Sequence, residues 1–284
     1  MNTLAHTFGT VNHQIDATAL VFHRQKLALT TIQLLCRLAQ AVQHHRGGSM
    51  AYLSGDSSYQ TQLTQCQQHI ETVLTTLELT EQFSVLEQPL VNLANNWRTI
   101  ELGWKEDGLM HNFEFHSHLL EEIKKLMRIC MQPLLSGNSI DQRHKQLLQI
   151  QLENAFDNIE SLAKLRGLST NVAIIKACGE ESHARISFLI KEIPEQNQQL
   201  LKHYLQLKSD GLTIDSIDTI KQQTKSLNRL LISIQIQLLE STSISLNSNE
   251  LFSLATDLIE DRWQSLGAGL QQVEKNNYDM LISS

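Results

Sequence analysis

Apolar residues recur with a helical period along most of the chain. Ala28, Ile32, Leu35, Ala39 and Val42 follow one another at alternating steps of four and three, the stripe of an amphipathic helix. A further step of four lands on Arg46, and Gly47-Gly48 follow at once. The pattern returns in Leu152, Ala155, Ile159 and Leu162, which lead to Arg166 and then Gly167-Leu168-Ser169. A third stripe, Leu251, Ala255 and Leu258, reaches Arg262 and continues through Leu266 and Leu270. Each stripe that should face a core therefore contains a guanidinium.

The same periodicity predicts the other elements. Residues 1–13 read as a loose arm, and a long helix runs from Gln14 to His45, ended by the glycine pair. A short helix is expected from Ser49 and a loop at Ser54–Ser57. Leu63, Cys66, Ile70, Val73 and Leu77 mark the next helix, and the one after covers about Glu81 to Lys105, with Leu86 through Trp104 on its apolar face and Pro89 inside it. Leu119, Ile123, Leu126 and Cys130 define a helix ending near Pro133. Another covers about Ser139 to Leu165 and stops at the second Arg-Gly element, with a short helix from Ser169 behind it. Further helices run past Pro194 to Leu207, from Asp215 to Leu246 and from Asn249 to Leu281. No alternating strand pattern of useful length interrupts them. The expected fold is all-α, with long antiparallel helices in what reads as two packed four-helix bundles. Residues 14–284 form one helical domain with a weak internal duplication marked by Arg-Gly breaks near 46 and 166.

Composition narrows the function. The 284 residues hold 3 Pro and 12 Gly, too few turn signals for a strand-rich fold, and 41% hydrophobic residues suffice for a core. A formal net charge of −7 offers no bulk basic footprint for nucleic acid. No apolar run approaches a membrane span, and the N-terminus lacks the basic and apolar regions of a signal peptide. Cys36, Cys66, Cys130 and Cys178 are scattered, without a Cys-x-x-Cys pair, which fits reduced thiols and a cytoplasmic setting.

The chemistry then rests on the arginines. A guanidinium keeps its proton, so a buried one needs a carboxylate or a bound anion. Its planar fork suits a small planar oxyanion. Arg46 and Arg166, with Gly47 and the backbone N–H groups expected to open helices at Ser49 and Ser169, make a candidate anion site to which Arg262 is added. Helix capping is the competing account of each Arg-Gly element. His111, His116 and His118 cluster with Glu114, Glu121 and Glu122, but only one Glu-x-x-His, Glu180 to His183, is present where a di-iron bundle needs two. No catalytic residue, metal site or cofactor is assigned on this pattern. A protein-binding adaptor with internally paired arginines, and a metal-bearing helical enzyme, are the alternatives.

These residues resemble the nitrate- and nitrite-sensing (NIT) domain family. His45-Arg46-Gly47-Gly48-Ser49 looks like its helix-end Arg-Gly element, with His at position 45 where an acidic residue is common. The segments His116-Ser117-His118-Leu119-Leu120 and Leu162 to Ser169 are similar to further parts of its pattern, over about residues 30 to 275. The resemblance implies a sensor of two four-helix bundles that holds nitrate or nitrite through Arg46 and Arg166, with Arg262 as a further match. Members usually carry an output module. Here the helices consume the chain, so the resemblance implies a separate output protein, and it admits a homodimer.

Overall fold

In the computed structural model the described course covers residues 2–80, 84–137, 139–214 and 216–283, with side chains described over 19–80, 85–137, 139–214 and 217–280. The helices are α1 (Asn2–Leu53), α2 (Gln60–Leu79), α3 (Ser84–Gly103), α4 (Leu109–Ser136), α5 (Gln142–Gln149), α6 (Phe156–Ile175), α7 (Glu180–Ser209), α8 (Ser216–Ile234) and α9 (Ser248–Ser283). A π-helical turn, Ile150–Ala155, joins α5 to α6, and another, Gln235–Leu239, ends α8. No strand occurs among the described residues, so the chain is all-α. The arm expected over residues 1–13 lies outside the described side chains.

Helix contacts trace two rings. α1 packs on α2 and α4, and α3 closes that ring by touching both. α6 packs on α7 and α9, and α8 closes the second in the same way. The rings meet where α1 crosses α6 and α9. The apolar stripes read from the sequence form the core, from Ile32, Leu35 and Val42 in α1 to Leu162 in α6 and Leu266 in α9. No helix among the described residues is long and apolar enough to cross a membrane.

One expectation is overturned. Neither Arg-Gly element breaks its helix: α1 continues to Leu53, and α6 runs to Ile175, ending where Lys176 turns left-handed at φ 55°. Ser49 and Ser169 are therefore interior helical residues, and no free helix N-terminus opens at either. The glycines serve packing between α1 and α6. A Cβ on Gly47 would lie 3.0 Å from Nη2 of Arg166, and one on Gly167 would lie 2.8 Å from Sδ of Met50. Each helix thus gives up a side chain where the other's must pass. The propensity cost of about 1 kcal/mol per glycine is offset by that close approach.

The contrast with Gly267 makes a test. Gly267 also sits inside a helix, α9, yet its added Cβ would meet nothing within 4 Å. Gly267→Ala should raise stability by about 0.5–1 kcal/mol. Gly47→Ala should lower it by about 1–3 kcal/mol, because the Arg166 guanidinium it meets is pinned. Urea unfolding of both variants checks this, and a gain in both would show that Gly47 holds no packing role.

Candidate functional site

Arg46 points from α1 toward α4 and α6 and is fully buried. Its Nη1 and Nη2 donate to Oε1 and Oε2 of Glu160 at 2.7 and 3.0 Å, a two-point clamp. Nη1 also donates to Ser117 Oγ at 3.0 Å, and the guanidinium lies 5.2 Å from the centre of the Phe113 ring. Glu160 accepts a second bond from Gln43 Nε2 at 2.8 Å and has Lys164 Nζ at 3.6 Å. Burial alone would push its carboxyl pKa up, but Arg46, then Lys164 and Gln43, outweigh that and hold it below the usual value. This half of the site is electrically closed.

Arg166 repeats the arrangement from α6. It lies 4.8 Å from the Phe252 ring and donates from Nη1 to Thr256 Oγ1 at 2.9 Å. Phe113 and Ser117 stand four residues apart on α4, as Phe252 and Thr256 do on α9. The two rings of helices therefore carry matching half-sites, an aromatic platform and a hydroxyl from the fourth helix around an arginine on the first.

The halves differ in what neutralises them. Arg166 is also fully buried, but among the described residues no carboxylate lies within 4 Å of it, Glu260 acting only from farther off, and Nη2 donates to the backbone oxygen of Gln43 at 2.8 Å. Six residues before Arg166 is Glu160, the carboxylate that serves Arg46; six before Arg46 is Gln40, an amide. Asn112 donates to Ser49 Oγ at 2.8 Å, while Leu251, one residue before Phe252 as Asn112 is before Phe113, cannot donate to Ser169. Arg166 Nε, Ser169 Oγ and Thr170 Oγ1 have no partner, on residues that are all fully buried; Arg46 Nε and Arg262 Nε are unpaired too, so the two hydroxyls are what sets this half apart. Arg166, Ser169 and Thr170 lie on one face of α6 at spacings of three and four. Burial, then the nearby Arg46, lowers the Arg166 pKa to about 10.

Arg262 is buried in α9, and among the described residues no carboxylate lies within 4 Å of it. Nη1 donates to Asn158 Oδ1 at 2.9 Å and Nη2 to Asn197 Oδ1 at 2.7 Å, so its fork is filled by amides from α6 and α7. Burial lowers its pKa to about 10 as well. Gly47 contacts Arg166 rather than offering a donor, and Ser49 bonds to the Arg46 carbonyl oxygen at 3.1 Å. The forks of Arg46, Arg166 and Arg262 share no acceptor. Gln43 links the first two all the same: its carbonyl accepts from Arg166, its amide nitrogen donates to Glu160, and its amide oxygen accepts from Trp263 Nε1 at 3.0 Å.

The residue beside Arg46 has its own buried arrangement. His45 Nδ1 is 2.8 Å from His116 Nε2, the two rings stack, and His116 Nδ1 is 2.7 Å from the Asn112 carbonyl. That carbonyl only accepts, so His116 carries its proton on Nδ1 and its Nε2 accepts from His45. His45 Nε2 is left without a hydrogen-bond partner, and the ring packs T-shaped against both Trp97 and Trp104. Burial drives the His116 pKa down to about 3 and the His45 pKa well below its usual value. His118 pairs instead with Glu122 at 3.4 Å on the surface. Among the described residues no group of three His, Cys, Asp or Glu is placed to hold a metal ion.

Comparison with known proteins adds no relative: no family model, curated protein or solved structure matches this chain. The stripes placed the three arginines on buried faces, while Glu160, Gln43, Thr170 and the two aromatic platforms went unmarked. The recurring Phe-x-x-x-Ser and Phe-x-x-x-Thr spacings were the available signal.

Proposed function

We propose that the protein is a sensor that binds a small oxyanion, nitrate or nitrite, at the Arg166 half-site and passes the change in helix packing to a separate protein. What carries the reading is the unequal pair of half-sites. A buried guanidinium without a counter-charge costs several kcal/mol unless an anion joins it. Arg46 has its anion in Glu160, whereas the corresponding position for Arg166 is Gln40. The unpaired Arg166 Nε–H and the Ser169 and Thr170 hydroxyls are donors suited to the oxygens of one planar oxyanion. The resemblance to the nitrate- and nitrite-sensing family points to the same ligand.

Transmission follows from Gln43. An anion that draws Arg166 away from the Gln43 carbonyl acts on the residue that also bonds Glu160 and Trp263, and so on α1, α6 and α9 together. Binding shifts the packing to the extent that the anion grips the two arrangements unequally. The reading calls for recognition and no bond-making.

Nitrate should raise the melting temperature of the protein, while chloride at equal ionic strength should not. At a hundredfold excess over its dissociation constant the ligand adds about 2.7 kcal/mol. Gln40→Glu should mimic the ligand by supplying the missing carboxylate, raising the unliganded melting temperature and removing the nitrate response. Equal shifts with chloride, or a full nitrate response in Gln40→Glu, would contradict the assignment.

A further inference from the structure

The cation that attends the closed half-site has a counterpart in the other half. Lys164 stands four residues after Glu160 on α6, and its Nζ lies 3.6 Å from that carboxylate. On α1 the residue four after Gln40 is His44, two before Arg46 as Lys164 is two before Arg166. His44 thus holds, beside the carboxylate that Arg166 lacks, the place Lys164 holds beside Glu160. The two side chains differ in one respect. Lysine keeps its charge near pH 7, whereas a histidine is charged or neutral according to its neighbours.

Those neighbours come from three helices. His44 Nε2 is shut from water and has no hydrogen-bond partner, with Glu260 Oε1 on α9 at 4.0 Å. Arg166 from α6 and His69 from α2 oppose a positive charge on the ring. Burial first, then Arg166 and His69, lower its pKa to about 4, so the ring is neutral near pH 7. An anion on Arg166 removes the second of these three and adds an attraction of its own. Glu260 adds to that attraction from the other side of the ring's nitrogen. Gln40 and Glu260 both line a groove of about 420 Å³ between α1 and α9, a way in from solvent for a small ion.

We propose that the Arg166 half-site takes up a proton on His44 together with its oxyanion, so that the sensor reads acidity and anion jointly. The loaded half then matches the closed one: an anion between Arg166 and a cationic His44, as Glu160 lies between Arg46 and Lys164. The proton comes from solvent and forms one N–H bond on the ring. Because the complex holds more protons than the free protein, affinity rises as pH falls. The inference rests on the anion reading of the Arg166 half-site and adds its regulation.

The test is calorimetric titration of nitrate into the full chain at pH 7.5 and pH 6, each in two buffers of different ionisation enthalpy. A full proton taken up on binding changes affinity about tenfold per pH unit, so nitrate should bind at least about threefold more tightly at the lower pH. The heat at pH 6 should vary with the buffer in the sense of proton uptake. His44→Lys builds the fixed cation of the other half. It should bind nitrate more tightly than the unaltered protein at pH 7.5 and show little dependence on pH. His44→Gln should bind with the same affinity at both pH values, with heats that do not depend on the buffer. Equal affinity at both pH values in the unaltered protein, buffer-independent heats there, or a pH dependence that survives in His44→Gln would each overturn the proposal and leave the anion reading standing. Absence of nitrate binding at both pH values would overturn the two together.

Discussion

Glu160→Ala should destabilise the protein by about 3–5 kcal/mol, the usual cost of leaving one charge of a buried pair alone. Arg46 would then be in the state Arg166 already occupies, buried with no carboxylate in range. Ser117 alone would remain on its fork. Two further losses add to this, since Gln43 Nε2 and Lys164 both turn to the same carboxylate. The same substitution leaves space where the carboxylate stood, so a small oxyanion should refill it. Millimolar nitrate or formate should recover part of the lost stability, and the recovery should exceed any effect of chloride. Arg46→Met combined with Glu160→Leu should be far less damaging than either change alone, because neither partner is stranded. Denaturant unfolding of the three variants decides it. Additive losses in the double variant would mean that the pair is not coupled.

Acid should unfold the protein early, through histidines rather than carboxylates. The folded pKa of His116 is depressed to about 3 by burial, then modified by its bond to Asn112 and by Arg46; His45 is depressed by burial and by His116. His44, lowered to about 4 by burial, Arg166 and His69, belongs with them. Each is near 6.5 when unfolded, so below that pH the unfolded chain binds more protons than the folded one. Stability is therefore complete above about pH 6.5 and is lost as pH falls toward the folded values. The slope is about 1.4 kcal/mol per pH unit for each histidine that stays neutral in the fold. Between pH 6.5 and 5 His116 and His44 together withdraw about 3–4 kcal/mol, with His45 acting in the same direction, a large share of the 5–15 kcal/mol typical of a domain. His116→Gln should flatten the slope. A stability profile level between pH 7 and 5 would contradict the neutral pair.

What the sequence disclosed was set by periodicity. The stripes in α1, α6 and α9 placed Arg46, Arg166 and Arg262 on buried faces, where the structure has them. The glycines misled, because a glycine beside a helix end and a glycine at a helix crossing look alike along the chain. Only the Arg166 and Met50 side chains on the facing helices tell them apart. The clamp of Glu160 on Arg46 was out of reach for a similar reason. A carboxylate on a helix reads as surface until the crossing of α1 and α6 brings it onto a guanidinium 114 positions away. Thr170 escaped because a hydroxyl inside an apolar run carries no periodic signal, and its unpaired state belongs to the fold alone.

The half-site account places the anion on Arg166 through a planar two-point grip and the two otherwise unpaired hydroxyls of Ser169 and Thr170. Calorimetric titration of nitrate into the unaltered protein and into Arg166→Lys, at constant total ionic strength, tests that most directly. Lysine keeps the charge and loses the fork. The account predicts saturable binding to the unaltered protein and affinity lower by roughly ten- to a hundredfold in Arg166→Lys, in line with the loss of one or two charge-assisted bonds of about 1.5–3 kcal/mol. Equal affinity in a folded Arg166→Lys, or no heat of binding in either, would contradict it.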